Sequence, residues 1–366
     1  MIIEELEKIR KYDFLFYLDS KKEEESIIIS IKNKCLYYNS NICAFKVKLK
    51  ISSISEEEQN VYYIIPKLEF LHLLPYSNTL TIDLNNKYKT DTNIFGIFKK
   101  DEKYKIIYES LEEIFSENSK KDYLSYLDID SKEMYEQLLI ANNFTDDKNN
   151  NDQSKFVFIQ NNTIFSSSLY RIYTKDFKLN TKNNEFIALL NSVITSIKNC
   201  DYPINIYKNN NSIWIQDSNL ELIYANISKV DPLPIFSENF ISMKKDILSV
   251  IPIQLSNKEL ISKLDFLKFY AKESNSQVEL KVIDSKRIVL SIKNNSCNLE
   301  IKNSNEAIKP KVFSFNIEYF LSALKSLSFE ENSFINIYEK EESNIICLEL
   351  DKNNSEYFYS SKMVNK

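Results

Sequence analysis

Catalysis and metal binding need particular side chains in particular groupings, and this chain is short of most of them. Its single histidine, His72, lies in the apolar run Phe70-Leu71-His72-Leu73-Leu74. One imidazole cannot build a histidine-rich zinc site. An enzyme would have to pair His72 with a serine or cysteine as base and nucleophile. The single glycine, Gly96, excludes a Rossmann fingerprint or a P-loop, because both need several glycines so that backbone amides can close on phosphate. Cys35, Cys43, Cys200, Cys297 and Cys347 are odd in number and never spaced C-x-x-C, the pattern of reduced, buried thiols in a cytosolic protein. Carboxylates are abundant, yet no D-x-D or H-x-E spacing stands out. No catalytic residue, metal or other cofactor is implied. What remains for acting on another molecule is charge and apolar surface.

The 366 residues and 43.2 kDa are too much for one ordinary core and fit two or three domains. Hydrophobic content of 43% and charged content of 27% belong to a globular chain. The net charge of -5, with a pI near 5.4, is unlike that of a conventional nucleic-acid binder. A local basic surface on an acidic body stays open. The start, Met1-Ile2-Ile3-Glu4-Glu5-Leu6, has neither the basic lead nor the apolar stretch of a signal peptide, and no stretch approaches the ~18 apolar residues of a membrane span. A cytoplasmic protein that does not engage membranes is the expectation. The 23 tyrosines and 23 phenylalanines mostly alternate with polar residues in strand patterns, which points to core rather than to base stacking.

A repeat runs through the chain. Near the end, 311–315 alternates as a strand, and Asn316 fits a helix N-cap. Ile317, Phe320, Leu321, Leu324 and Leu327 then form one apolar stripe at helical spacing, and strands follow at 334–338 and 345–350. In the middle, Asn184 would cap a helix carrying Phe186, Leu189, Leu190, Val193, Ile194 and Ile197, with strands at 204–207 and 213–215. In the first third, a strand at 61–65 leads into Pro66 as first helical residue, with Leu68, Leu71 and Leu74 on one face and strands at 80–84 and 94–98. The helix starts at 66, 184 and 316 are 118 and 132 residues apart, close to the 122 of an equal three-way division. Each copy also opens with a helix: around Glu4, Glu5, Glu7, Lys8, Arg10 and Lys11; after Asp130, with Met134, Leu138 and Leu139; and near Met243, with Ile247, Leu248 and Ile251. The expected fold is α+β, three tandem copies of two helices packed on an antiparallel sheet. They would span 1–120, 121–236 and 237–366, with linkers near 116–121 and 231–239.

The segment Phe315-Asn316-Ile317-Glu318-Tyr319-Phe320-Leu321-Ser322-Ala323-Leu324-Lys325-Ser326-Leu327 resembles the Phe-Asn-x-x-Tyr-Leu-Leu-x-x-Leu-x-x-Leu stretch in the third domain of the bacterial and phage DNA sliding clamps, the family of the DNA polymerase III beta subunit. Residues 163–172, ending Ser168-Leu169-Tyr170-Arg171-Ile172, are similar to the family's Ala-Thr-Asp-Gly-His-Arg-Leu segment. Residues 223–234 stand where clamps carry a strand followed by Phe-Pro-Asp-Tyr. The resemblance implies a non-catalytic processivity factor closing head-to-tail as a homodimeric ring around double-stranded DNA. It would hold that DNA without sequence specificity, tether a DNA polymerase, and be loaded by a separate clamp loader. The alternative is a scaffold or regulatory protein of the same repeat that does not encircle DNA.

That resemblance also implies site residues. Lys8, Arg10, Lys11, Lys67, Lys132, Lys198, Lys244, Lys245 and Lys325 would line the channel and meet phosphates, contacts that carry no sequence information. A hydrophobic cleft for partner peptides would be built from Leu169, Arg171, Ile172, Pro232, Pro234, Asn316, Tyr319, Ile346, Phe358, Ser360 and Met363, with Ile172 and Tyr319 as its floor. The family's Gly-His pair is Leu169-Tyr170 here, and its Met-Pro-Met-Arg-Leu end is replaced by Ser360-Ser361-Lys362-Met363-Val364. The cleft's position therefore carries over, and its peptide preference does not.

Overall fold

The computed structural model describes the chain outside residues 1, 18–25, 41, 53, 55–61, 83–86, 91–94, 98–101, 117–118, 120–123, 130, 147–151, 161, 169–170, 177–186, 210–211, 225–237, 272–276, 293, 303–307, 328–333, 341–344, 351–354 and 361–366. Its described elements follow one order six times: strand, helix, then three strands. The first unit is β1 (Ile2–Glu4), α1 (Leu6–Arg10), β2 (Ser26–Ser30), β3 (Cys35–Asn39) and β4 (Cys43–Lys48), followed by a short extra strand β5 (Lys50–Ser52). The second is β6 (Tyr62–Pro66), α2 (Lys67–Leu73), β7 (Leu80–Ile82), β8 (Lys87–Thr90) and β9 (Phe95–Ile97). A helix outside the pattern, α3 (Glu102–Ile114), leads to the third unit: β10 (Leu124–Ile129), α4 (Lys132–Asn142), β11 (Phe156–Gln160), β12 (Thr163–Ser168) and β13 (Arg171–Asp176). The fourth is β14 (Ile187–Leu190), α5 (Asn191–Ile197), β15 (Ile204–Lys208), β16 (Ile213–Gln216) and β17 (Leu220–Tyr224). A second helix outside the pattern, α6 (Glu238–Leu248), precedes the fifth: β18 (Ile253–Ser256), α7 (Asn257–Lys268), β19 (Gln277–Val282), β20 (Arg287–Ile292) and β21 (Asn295–Glu300). The last is β22 (Lys311–Asn316), α8 (Ile317–Leu327), β23 (Phe334–Lys340), β24 (Ile345–Leu350) and β25 (Ser355–Ser360).

Successive units interlock by exchanging their first strands. β6 pairs with β2 and β1 with β7; β10 pairs with β15 and β14 with β11; β18 pairs with β23 and β22 with β19. Each exchange ties two units into one α+β copy, and all the pairings are antiparallel. The four-stranded halves then join at the last strand of each unit. β4 pairs with β17 to give the eight-stranded sheet β10-β15-β16-β17-β4-β3-β2-β6. β13 pairs with β25 to give β14-β11-β12-β13-β25-β24-β23-β18. Two half-sheets end instead on β9 and β21: β5-β1-β7-β8-β9 and β21-β20-β19-β22.

By compactness the chain forms two bodies, each built around one eight-stranded sheet: Met1–Tyr135 with Leu179–Glu185 and Ser192–Lys229, and Glu136–Lys178 with Phe186–Asn191 and Val230–Lys366. In the first body, Phe16 packs edge-on against Tyr38 and Phe45 and tilts onto Phe70 of α2, so this repeat helix covers the face that carries Tyr38 and Phe45. The opposite face carries Cys35, Tyr37 and Ala44, and α3 covers it with Tyr108, Leu111 and Phe115. Strand alternation puts neighbouring residues on opposite faces, so a sheet covered on both sides reads as nearly continuous apolar sequence.

Several expected elements shift. Pro66 ends β6 and stands at the N-cap rather than inside α2. Residues 187–190 form a strand instead of the first turn of a helix, because pairing with β11 satisfies the backbone and buries Ile187 and Leu189. Asn316 caps α8 as expected, its Oδ1 accepting from the Glu318 and Tyr319 N–H groups at 2.9 and 3.1 Å. The helix read as opening the third copy is α6, which lies outside the repeat; the repeat position belongs to α7. Asp130 and Asn184, read as N-caps, lie outside the described residues.

Candidate functional site

In the first body, α1 presents Lys8 and Lys11 to solvent, but Arg10 is spent on the fold. Its guanidinium donates to the Leu74 carbonyl, to the Ser77 carbonyl at 2.8 Å and to Asn78 Oδ1 at 2.9 Å, fastening α1 to the end of α2. Lys8 pairs with Glu5, and Lys11 Nζ reaches Asp201 Oδ1 at 2.5 Å. Exposed pairs of this kind contribute about 0–1 kcal/mol, so a phosphate can displace them. Lys67 cannot serve as a phosphate contact: it is 6% exposed, and its Nζ donates to the Tyr38 hydroxyl at 3.3 Å and lies 5.6 Å from that ring's centroid. Lys132 and Lys198 are exposed, at the first residue of α4 and just beyond α5. His72 is exposed in the last turn of α2.

In the second body, Lys325 is exposed on α8 and meets Asp265 of α7 at 2.8 Å. Lys244 and Lys245 sit on α6, away from the repeat helices. α7 adds three lysines that the sequence reading does not single out: Lys258, Lys263 and Lys268. A signal for this helix is present, because Ser256 and Glu259 make the S-x-x-E of a capping box, and Ser256 Oγ accepts from Glu259 N–H at 3.4 Å. Leu260, Leu264 and Leu267 are buried on one side of α7, leaving Lys258, Asp265 and Lys268 exposed.

The expected cleft residues divide between two settings. Arg171 and Tyr319 meet: the Arg171 guanidinium is 5.1 Å from the Tyr319 ring centroid and 5.9 Å from that of Phe144, which itself stacks on Tyr173 at 5.2 Å. Arg171 Nε also donates to Ser168 Oγ at 3.1 Å. Tyr319 remains 37% exposed, and Asn316 is buried as the cap beneath it. Ile346 lies by register on the same face of the sheet as Arg171, two strands away, but deeper. It is 1% exposed, with Ile335, Ile337 and Leu348 also buried on its side of the sheet, so it belongs to the core. Leu169, Pro232, Pro234 and Met363 lie outside the described residues. Phe358 and Ser360 are placed only by backbone register, Phe358 pairing with both Ile172 and Cys347.

That register puts Ile172, Phe358, Cys347 and Tyr338 in one row across four adjacent strands. α6 lies on this row. Ile247 is fully buried against Tyr338 and Cys347, with Met243, Leu248, Val250, Ile345 and Ile172 half-buried around it. The expected floor residue Ile172 therefore sits beside a helix of the chain itself, a contact that no local pattern announces. Elsewhere in this body, α7 packs on β20 and β21, and at its C-terminal end Phe266, Phe269 and Tyr270 stand out, Tyr270 meeting each of the two phenylalanine rings edge-on. Phe269 is 86% exposed.

No protein-family model matches the chain, and no curated protein sequence does. Solved structures do. A DNA polymerase sliding clamp from Bacillus subtilis superposes with a TM-score of 0.73 at 12% identity, covering 98% of both chains. A putative DNA polymerase III beta subunit from Eubacterium rectale gives 0.70 at 16% identity, again over 98% of both. This fold is the sliding-clamp fold. The Helicobacter pylori beta clamp, solved bound to a DNA ligase peptide, matches at 0.72 with 10% identity over 98% of this chain and 99% of that one. The fold match thus holds at identities of 10–16%. No helix among the described residues is long and apolar enough to cross a membrane.

Proposed function

We propose that the chain is a DNA sliding clamp: a non-catalytic processivity factor that closes as a head-to-tail homodimer around duplex DNA, tethers a polymerase, and is placed on DNA by a separate loader in the cytoplasm. The observation that carries this reading is the strand arithmetic of the four sheets. Within the chain, every half-sheet that finds a partner joins it through the last strand of a unit, β4 to β17 and β13 to β25. Among the described residues, only β9 and β21 end without such a partner. A second copy offering β21 to β9, and β9 to β21, would complete two more continuous sheets and remove the exposed edges, which otherwise invite aggregation. The exposed rings of Phe266, Phe269 and Tyr270 beside β21 would be buried by the same contact.

On this reading the chain carries three copies, 1–120, 121–236 and 237–366, and the repeat helices face DNA. Lys8, Lys11, Lys132, Lys198 and Lys325, joined by Lys258, Lys263 and Lys268 of α7, are the proposed phosphate contacts; Arg10 and Lys67 hold the fold instead. Lys244 and Lys245 drop out with α6. Around the start of β13, the exposed Tyr319 edge held by Arg171 on one face and Ile172 on the other are where an apolar partner segment is proposed to dock, anchoring by a few buried side chains. The test is topological: after loading, the protein should stay on nicked circular DNA and slide off once the circle is cut. Equal loss from circular and linear DNA would favour the scaffold that does not encircle DNA.

A further inference from the structure

Four of the proposed phosphate contacts already hold a carboxylate of their own chain. In the first body Lys8 pairs with Glu5 and Lys11 with Asp201. In the second, Lys268 of α7 meets Glu318 of α8 at 3.2 Å, and Lys325 of α8 meets Asp265 of α7 at 2.8 Å. These last two bridges join neighbouring helices, each helix giving one cation and one carboxylate, and all four side chains are 42–51% exposed. The helices are anchored by buried apolar residues, among them Leu264 and Leu267 of α7 and Leu321 and Leu324 of α8. Exposed ion pairs add little to that. Helix physics accounts for three of the four charged residues. Glu318 is in the first turn of α8, where negative charge suits the dipole, and Lys268 and Lys325 are in last turns, where positive charge does. Asp265 has no such reason. It stands in the second half of α7, towards the negative end of the dipole, and aspartate is a weak helix former. Among the described residues its one partner is Lys325. A residue that costs its helix something and touches one cation is explained by what it does to that cation.

We infer that Asp265 and Glu318 are built-in competitors for the DNA backbone: they occupy Lys325 and Lys268, so that a phosphate must displace a carboxylate before it gains a contact. The inference rests on the reading that the repeat helices face DNA, and it adds which residues set how firmly that DNA is held. Displacement also leaves a carboxylate beside the phosphate, and like charges at that range repel. Both effects lower affinity without removing any lysine. A ring that encircles its DNA needs no tight grip to stay on it and has to slide, so cations partly neutralised by their own chain suit the task. Neutralising the two acids should therefore strengthen DNA binding. Loss of an ion pair that served only the fold would leave binding unchanged or weaken it.

The test is fluorescence anisotropy of a short labelled duplex titrated with the full chain at low salt. Asp265→Asn should bind about three- to fourfold more tightly than the parent, and Asp265→Asn with Glu318→Gln about tenfold, each release counting as one exposed ion pair. The advantage should shrink as added salt screens the pairs. Removing two negative charges anywhere favours a polyanion, so Glu279→Gln with Asp284→Asn serves as control. Glu279 is on the exposed face of β19, and Asp284, between β19 and β20, also holds a cation, Arg287. The control should gain less than about twofold. Lys268→Gln with Lys325→Gln should weaken binding several-fold. Weakening by the lysine variant, with acid variants that bind no better than the control, would overturn the competitors and leave the DNA reading standing. Lysine and acid variants that all bind as the parent does would mean that α7 and α8 do not meet DNA, and the reading beneath the inference would fall with it.

Discussion

The guanidinium of Arg171, on the last strand of the third unit, lies over the ring of Tyr319, on the helix of the sixth, at 5.1 Å. Phe144 approaches the same guanidinium at 5.9 Å, so one cation is shared by two rings drawn from separate parts of the chain. Such contacts contribute about 0.5–2 kcal/mol depending on desolvation. Arg171→Ala should lower stability by about 1–2 kcal/mol in urea titration. It should also leave Tyr319 less ordered, weakening peptide docking. Arg171→Lys keeps the charge but not the planar stack and should fall between the two. If Lys matches Arg in both measurements, stacking contributes nothing here.

Asp217 offers a sharper stability test. Its carboxylate is 6% exposed and accepts from the N–H groups of Asn219 and Leu220 at 2.6 Å each, from Asp201 N–H at 2.8 Å and from the Tyr12 hydroxyl at 3.2 Å. Asp217→Ala strands these donors, at about 1–3 kcal/mol for each one left unsatisfied. A loss of about 3 kcal/mol or more is expected by denaturant titration, and Asp217→Asn should recover part of it. A loss below about 1 kcal/mol would mean that water replaces the carboxylate without penalty.

The Lys11–Asp201 pair sets a pH dependence. The hydrogen bond from Lys11 is the largest influence holding the Asp201 carboxyl below its ordinary 3.8, opposed by burial and helped by Asn219. A depressed carboxyl stabilises the fold fully above its unfolded value, and the contribution is lost as pH falls through the folded one. Stability should therefore fall as pH drops below about 4. Lys11→Gln should flatten that part of the profile without changing the plateau shape near neutrality. A profile identical to the parent's would show that the pair does not couple to folding.

For DNA, changing Lys132, Lys198, Lys258 and Lys325 together to Glu should reduce retention on circular DNA, lowering the salt slope by up to about 0.9 for each phosphate no longer neutralised. Lys244→Glu with Lys245→Glu, on α6, should leave both quantities unchanged. Weaker retention from the α6 pair alone would place DNA on the opposite side of the sheet from the repeat helices.

Much of the repeat is legible in the sequence because it is written in local periodicity. The stripe Ile317, Phe320, Leu321, Leu324 and Leu327 of α8 and the hairpin after it lie where the sequence pattern puts them. The exchanged first strands are harder to read. Ile187-Ala188-Leu189-Leu190 is a short apolar run that fits a strand or a helix equally, and only its distant partner β11 decides between them. In the third copy, the apolar face of α6 imitates a repeat helix and takes the place that belongs to α7. Burial on α3 or α6 depends on sheet faces assembled from residues more than a hundred positions apart, such as Ile172 and Cys347, and no window along the chain contains both. The resemblance brings Arg171 and Tyr319 together, and the structure places them in contact; the burial of Ile247 against Tyr338 and Cys347 has no such signal.

Whether β9 and β21 find each other in a second copy decides the clamp reading, and solution mass measures this most directly. Multi-angle light scattering at micromolar concentration should give twice the 43.2 kDa of one chain. Phe266→Ser with Phe269→Glu, which alters only exposed rings beside β21, should return the mass to that of a single chain while leaving the fold intact by circular dichroism. A parent protein that remains at 43.2 kDa across the whole concentration range would contradict closure through these edges, and with it the reading of the chain as a clamp that closes by itself.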